Sequence, residues 1–431
     1  MHSSTTSTIA DHLRSVPEAA RVSDSMIVSH AKGSWLWDAD GERYVDFASG
    51  VLVLAAGHAD ERIADAIATQ ARTVTNVYAH DTHQRSELAD AILATTGGDF
   101  DQAFFMSTGS EGIETALKLA RAATGKQGII TFSGAFHGKT SSGVAMDGQA
   151  SVRDAYGGTI VGPVIRARYP YAYRWDLPGD MDEVALMLLE AQIQMEGPER
   201  LSAIVLEPFL GAGGVVPAST AFLRGIRTIA DRYELVFILD EIQSGLGRGG
   251  AMWRYREAEV VPDILLGAKH LGGGLPIVAI MARTSIFDHA PNGSLTSTFG
   301  GNPLSAAAGL QMLSIIESDD LISQCVANSA TIASRMTEWE GAYEIVGEGR
   351  AAGLSCGIEL VLPGTAEPNS AAARAAKRLA AAHGLVTMPA AGVHGNVLRF
   401  GPALNIPADV LQDGLDRLEA VIAELETTSA R

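Results

Sequence analysis

From about residue 60 onward, apolar positions follow two different periods. Segments such as "ERIADAIATQART", "SEGIETALKLARAA" and "AFLRGIRTIADRY" bring apolar residues back every turn of a helix, which predicts amphipathic helices. Between them lie short unbroken apolar runs: "QAFFM", "QGIITF", "LSAIVLEPF", "LVFILDE", "DILLGAK" and "PIVAIMA". Runs without a polar alternate predict strands covered on both faces, as in a mainly parallel sheet sandwiched by helices. Upstream, "SWLWDADGERYVDF" predicts two short strands about an Asp-Ala-Asp-Gly turn, with Gly41 placed for positive φ. Past a helix expected near 303–317, "YEIVGEG", "GLSCGIELV" and "NVLRF" alternate with helices near 370–384 and 407–425, the pattern of a smaller α+β domain. The expected division is an N-terminal arm with part of the small domain over 1–60, a large α/β domain over 61–318, and a C-terminal small domain over 319–431.

Composition narrows the function. A chain of 431 residues, 47% of them hydrophobic, is long enough for a large core with a second, smaller one. With 32 basic and 50 acidic residues the formal charge is −18, which argues against nucleic acid or an anionic membrane and favours small metabolites. The two cysteines, Cys325 and Cys356, show neither a pairing pattern nor metal-ligand spacing, so a reducing cytoplasm is expected. "MHSSTTSTIADHLRS" lacks the apolar stretch of a secretory signal, and "FASGVLVLAAGHA" is too short to span a bilayer.

Several motifs are formal matches only. "GEGRAA", 347–352, fits a dinucleotide-binding pattern but runs into a strand where a helix is required. "GLSCG", 353–357, fits a hydrolase nucleophile elbow, yet "IELV" follows, so Ser355 reads as a strand residue. His80 and His83 lack further metal ligands, and Glu111, Glu114 and Lys118 fit a solvated helix face with an i,i+4 pair.

Three other segments carry chemistry. In "LLGAKHLGGGLP", 265–276, Lys269 ends an apolar run, where an ammonium needs a partner or a reaction to compensate its desolvation. "LVFILDEIQSGLGRGG" puts Asp240 just past another buried strand. "MSTGSEGIETALKLAR" offers a strand end, a Thr-Gly-Ser turn and a helix start, read either as a phosphate cradle at Gly109 and Ser110 or as an ordinary Ser N-cap followed by Glu. Ligands of α/β sheets gather at the carboxyl ends of strands, where all three segments lie. A covalent lysine, a carboxylate for a pyridinium nitrogen and a phosphate turn together suit pyridoxal 5′-phosphate.

"STGSEGIETALKLAR", "AFHGKT", "LDEIQSGLGRGG", "GAKHLGGGLP" and "TFGGNPLSAAAG" occur in the order and spacing of the class III (omega-amino acid) aminotransferases, and the chain resembles that family from "WDADGERYVDFASG" to "LRFGPAL". The resemblance implies the fold-type I architecture of pyridoxal phosphate enzymes. It implies that Gly109 and Ser110 bind phosphate, that Phe136 and Ile242 cover the two ring faces, and that Asp240 pairs with the ring nitrogen. Gln243 is implied beside the ring hydroxyl, His137 and Glu207 in the cofactor site, and Lys269 as the covalent lysine and proton carrier. Thr298 is implied to reach the phosphate of a neighbouring subunit's cofactor, hence a homodimer with shared sites, with pairing into tetramers left open.

The implied reaction moves an amino group from an omega-amino acid, amine or amino acid donor to a keto acid acceptor, pyruvate or 2-oxoglutarate, by a ping-pong mechanism. Arg399 matches the family arginine for a substrate carboxylate, which suits a planar guanidinium; a strand-capping role is the alternative. Lys139 stands where 4-aminobutyrate enzymes carry arginine, and Ala212 where they carry the glutamate that masks the arginine matching Arg399, so a dedicated 4-aminobutyrate enzyme is not implied. Val51 stands where dialkylglycine decarboxylating relatives place glutamine. Racemases and epimerases of amino acids or aminolactams share the lysine, aspartate and phosphate motifs and form the alternative reading, together with decarboxylating transamination. Trp35, Trp37 and Tyr78 fit a substrate entrance or packing of the N-terminal arm.

Overall fold

The computed structural model describes residues 15–20, 26–78, 80–154 and 162–429; all of "MHSSTTSTIADHLRS" but its last residue lies outside them. Its centre is a seven-stranded sheet in the order Gln102–Met106, Val278–Ala282, Ile264–Gly267, Val236–Asp240, Leu201–Leu206, Gly128–Phe132, Val164–Ala167. Val278–Ala282 is antiparallel to both neighbours, and the other pairings are parallel. The unbroken apolar runs follow from burial on both faces: Ile204, Leu206, Phe237 and Leu239 enter one core cluster, while Ala203, Val205, Val236 and Ile238 enter the other. A mainly parallel sheet in the larger part of the chain, expected from the sequence, is the architecture found.

The Gly109–Thr124 helix packs on this sheet at close range, since a Cβ on Gly112 would come within 2.7 Å of Val278. The C-terminal part builds a three-stranded antiparallel sheet from Val346–Ala352, Ser355–Leu360 and Val397–Phe400. "GEGRAA" and Ser355 are therefore strand residues, as read. Arg43–Asp46, partner of Trp35–Asp38 across a turn with Gly41 at φ 86°, also pairs in parallel with Leu385–Val386, which ties the N-terminal hairpin to the C-terminal part.

The 22-residue helix Leu321–Ala342 was not marked by the apolar pattern. Polar residues interrupt its inward stripe because they bond there: Asn328 donates to the carbonyls of Leu404 and Ile406, and Ser329 donates to that of Gly353. Among the described residues no group of three or more His, Cys, Asp or Glu could hold a metal, and no helix is long and apolar enough to cross a membrane. Cys325 and Cys356 are buried and unpaired with one another.

Candidate active site

Four neighbouring parallel strands deliver side chains to one crevice. Asp240 ends Val236–Asp240, Lys269 lies two residues past Ile264–Gly267, Glu207 follows Leu201–Leu206, and Phe136 and His137 come from the loop after Gly128–Phe132. The turn from Ser107 to Ser110 arrives from Gln102–Met106, beyond the antiparallel strand. All of these line one cavity of about 400 Å³, together with Ile242, Gln243, Ala212 and the Gly274–Ile277 segment.

At one end the Gly109–Thr124 helix presents its first turn. Its cap is Thr108 and not Ser110: the Thr108 hydroxyl accepts from the Glu111 amide at 3.2 Å, and the Glu111 carboxylate accepts from the Thr108 amide at 2.9 Å. With Thr108 capping, the amides of Gly109 and Ser110 have no carbonyl one turn back to bond, and both residues line the cavity, the Ser110 hydroxyl accepting from the Lys139 amide at 3.2 Å. Gly138 closes over this end with φ 106°, and a Cβ there would lie 2.3 Å from Ser110 Oγ. The solvated ion-pair face read from Glu111, Glu114 and Lys118 is thus replaced by bonding carboxylates, since Glu114 accepts from the amide and hydroxyl of Ser142 at 3.0 and 2.7 Å.

In the crevice floor the Asp240 carboxylate is 5% exposed. Its Oδ2 meets His137 Nδ1 at 2.8 Å and its Oδ1 accepts from the Ile242 amide at 3.1 Å. Burial disfavours charging His137, but the bond and charge of Asp240 outweigh it and raise the imidazole's pKa. Glu207 accepts from the amides of Phe136 at 2.9 Å and Gly211 at 3.0 Å, so it fixes the walls on two sides. Desolvation pushes its carboxyl up to about 7.

Lys269 lies in a 3-10 turn with φ 31° and donates from Nζ to Gln243 Oε1 at 3.0 Å. Burial, and next the charge of Arg399, lower its pKa to about 8. The buried Nε2 atoms of Gln243 and His137 have no partner. Phe136 and Ile242 both line the cavity, with Ile242 against Gly109.

This donor and acceptor set fits pyridoxal phosphate. Free first-turn amides suit the phosphate, a buried carboxylate suits the ring nitrogen, Gln243 Nε2 is a donor awaiting an oxygen, and a desolvated amine suits the aldehyde carbon.

Arg399, 9% exposed on Val397–Phe400, opens instead on an adjoining cavity of about 670 Å³ with Lys139, Pro389 and Ala390; Phe136 and Ala212 line both cavities. Val51 is exposed on a left-handed turn and does not line either cavity, although Val53 lines the first. Thr298 is exposed, its carbonyl accepting from Asn76 Nδ2 at 2.9 Å, and it too lies outside both cavities of its own chain. Trp35, Trp37 and Tyr78 also stand away from them: Trp37 stacks on His30 and Trp35 holds the Arg43 guanidinium over its ring. The sequence reading missed Val53, Gly138 and the Gly274–Ile277 segment, which carry no charge or nucleophile to mark them.

A profile of the family "Aminotransferase class-III" matches residues 18–422. The chain is 31% identical over 416 residues to a 5-aminovalerate aminotransferase of Pseudomonas putida, covering 95% of this chain and 96% of that protein. It is 35% identical over 399 residues to a succinylornithine transaminase of Photorhabdus laumondii, covering 91% and 92%. Among solved structures, a taurine:2-oxoglutarate aminotransferase of Bifidobacterium kashiwanohense in complex with PLP and glutamate superposes with a TM-score of 0.91 at 25% identity, over 98% of each chain. An amine transaminase from an uncultivated Pseudomonas species, in a PLP-bound form, superposes with a TM-score of 0.88 at 26% identity, over 95% and 98%. Fold, crevice and family profile agree, and the chain belongs to the class III aminotransferases, enzymes that use pyridoxal phosphate to transfer amino groups.

Proposed function

We propose that this aminotransferase takes its amino group from an omega-amino acid, a donor with an anionic group remote from the amine, and delivers it to pyruvate or 2-oxoglutarate. The observation that carries this reading is Arg399. Its guanidinium is almost fully buried, pairs with no carboxylate among the described residues, leaves Nε without a partner, and borders the cavity next to the crevice. Burial lowers its pKa from the usual arginine value, a cost that an incoming carboxylate offsets by two parallel hydrogen bonds. Ala212, at the junction of the two cavities, supplies no carboxylate to block it. Lys139 adds a second cation to the same cavity. The 5-aminovalerate and taurine enzymes act on donors of this charge pattern.

Bound in the crevice, the cofactor supplies an electron sink for the carbanion that develops at the donor's amine-bearing carbon. The protein's part is positional. Asp240, oriented by His137 and the Ile242 amide, would hold the ring nitrogen's proton in place. Gly109, Ser110 and the helix start would hold the phosphate, and Phe136 and Ile242, which line the same cavity, would restrict the ring. Lys269 Nζ, its pKa lowered to about 8 and held by Gln243, would accept the proton from the donor's amine-bearing carbon and carry it within the crevice. A homodimer in which Thr298 completes the neighbour's phosphate site, a cytoplasmic location, and a division at about residues 60 and 318 belong to the same reading.

A half-reaction panel tests it. Donors are added singly to the loaded enzyme while the cofactor spectrum is followed, and pyruvate or 2-oxoglutarate is then added to reverse the change. Omega-amino acids with a terminal carboxylate are expected to react with higher kcat/KM than amines of equal length lacking it. Equal kcat/KM for the two sets contradicts the assignment, and racemisation of an amino acid without keto acid formation points to the racemase alternative.

A further inference from the structure

Arg248 is fully buried and forms no ion pair with a described carboxylate. Taking a guanidinium out of water costs several kcal/mol. A core that needed only volume at this place is served more cheaply by methionine or leucine. What Arg248 has in place of a counter-ion is a set of neutral acceptors on four separate segments, three of which lead to residues that line the crevice or the cavity beside it.

Nε donates to His270 Nε2 at 3.1 Å, one residue beyond Lys269. Because arginine only donates, His270 must present an unprotonated Nε2, and burial followed by the charge of Arg248 holds its pKa well below the ordinary histidine value. Nη1 donates to the carbonyls of Leu354 at 3.1 Å and Pro402 at 2.5 Å, the latter three residues past Arg399. Nη2 reaches Ser49 Oγ at 3.4 Å, and Ser49 in turn donates to the Gly401 carbonyl at 2.7 Å. Ser49 begins a run of four left-handed residues, Ser49, Gly50, Val51 and Leu52, with φ between 39° and 64°, and the next residue, Val53, lines the cofactor cavity. Four successive positive φ values do not persist unless surrounding bonds over-determine them.

We infer that Arg248 is a positioning residue for the reaction: its single guanidinium sets the register of the Lys269 turn, the left-handed 49–52 turn and the strand end carrying Arg399 relative to one another. It touches neither cofactor nor substrate and acts through His270, Ser49 and the Leu354 and Pro402 carbonyls. The inference rests on the reading of Lys269 as the covalent lysine, but its test does not depend on turnover alone.

Arg248→Lys keeps the charge and loses the fork; Arg248→Met loses both. Two quantities are measured for each: kcat, and the pH midpoint at which Lys269 of the cofactor-stripped protein reacts with an amine-acylating reagent, mapped by mass spectrometry. The charged groups acting on Lys269 are Arg399, Asp240, Glu207 and Arg248, so deleting one cation moves the midpoint upward from about 8. Both variants are expected to lose about 100-fold in kcat, the scale of a 1 Å misplacement. Only Arg248→Met is expected to raise the midpoint. If Arg248→Met does not fold, Ser49→Ala, which deletes one acceptor, is expected to lower kcat without changing cofactor content. Arg248→Met or Arg248→Lys with kcat within twofold of the parent overturns the inference, as does Ser49→Ala with unchanged kcat where Arg248→Met is not recovered. Failure of Lys269 to carry the cofactor in the parent enzyme refutes the functional reading instead.

Discussion

At position 269 a side chain with four methylenes and an amine is placed where water is excluded, on a backbone bent to φ 31°. Sequence alone marked it, because a lone cation closing an apolar run is costly unless chemistry uses it. Its amine loses its proton near pH 8, not near 10.5. In the cofactor-stripped protein the rate of covalent attachment is therefore expected to rise with pH through about 8 and level off above it, followed by absorbance. The same shift bears on stability. Between about 8 and 10.5 the unfolded chain holds a proton on this lysine that the folded chain lacks, so this group makes the stripped protein more stable as pH rises through that window. Below about 8 both states are protonated and the contribution is flat. Asp240 was marked in the same way, whereas the Gly109–Ser110 turn read equally as an ordinary helix cap until it was set beside the other two segments. His137 was legible only through family resemblance, since its bond to Asp240 joins residues 103 positions apart.

Elements carry the next layer. Helices and strands of the large sheet were readable because each buries apolar residues on the period of its backbone. The Leu321–Ala342 helix was not, because its inward asparagine and serine bond to distant carbonyls that no local pattern reveals. A similar long-range device holds the loop that separates the two cavities. Glu359, buried on Ser355–Leu360, accepts from Arg174 Nη2 at 2.7 Å, Arg350 Nη2 at 2.8 Å and Asn396 Nδ2 at 3.0 Å, and also from the Tyr171 hydroxyl. Arg350 passes the constraint on by donating twice to the Gly214 carbonyl, at 3.0 and 2.9 Å, two residues from Ala212. Burial opposes ionisation of Glu359, yet Arg350 and these bonds hold its pKa below the usual carboxylate value. Removing one partner from such a network strands the others. Glu359→Ala is expected to destabilise the fold by about 3–5 kcal/mol in denaturant titration, far beyond a surface glutamate change.

For the molecule as a whole, the sheet explains why the crevice lies where it does: side chains from the carboxyl ends of adjacent strands converge there whatever their distance in sequence. The sequence reading could place those ends but not their convergence, nor the second cavity, which needs Arg399 brought from the C-terminal sheet to Lys139. In the shared-site dimer proposed above, the exposed Thr298 would complete the neighbouring copy's site. Mixing dissociated Lys269→Ala and Thr298→Ala subunits is then expected to restore activity above the sum of the two parents, because half the sites of each mixed dimer are intact; strict additivity speaks against shared sites. The claim on which all of this turns is the covalent union of Lys269 with the cofactor's aldehyde. Reduction of the loaded enzyme with borohydride, followed by peptide mass spectrometry, is predicted to find a phosphopyridoxyl group on Lys269. A cofactor adduct on another lysine, or on none, contradicts the account.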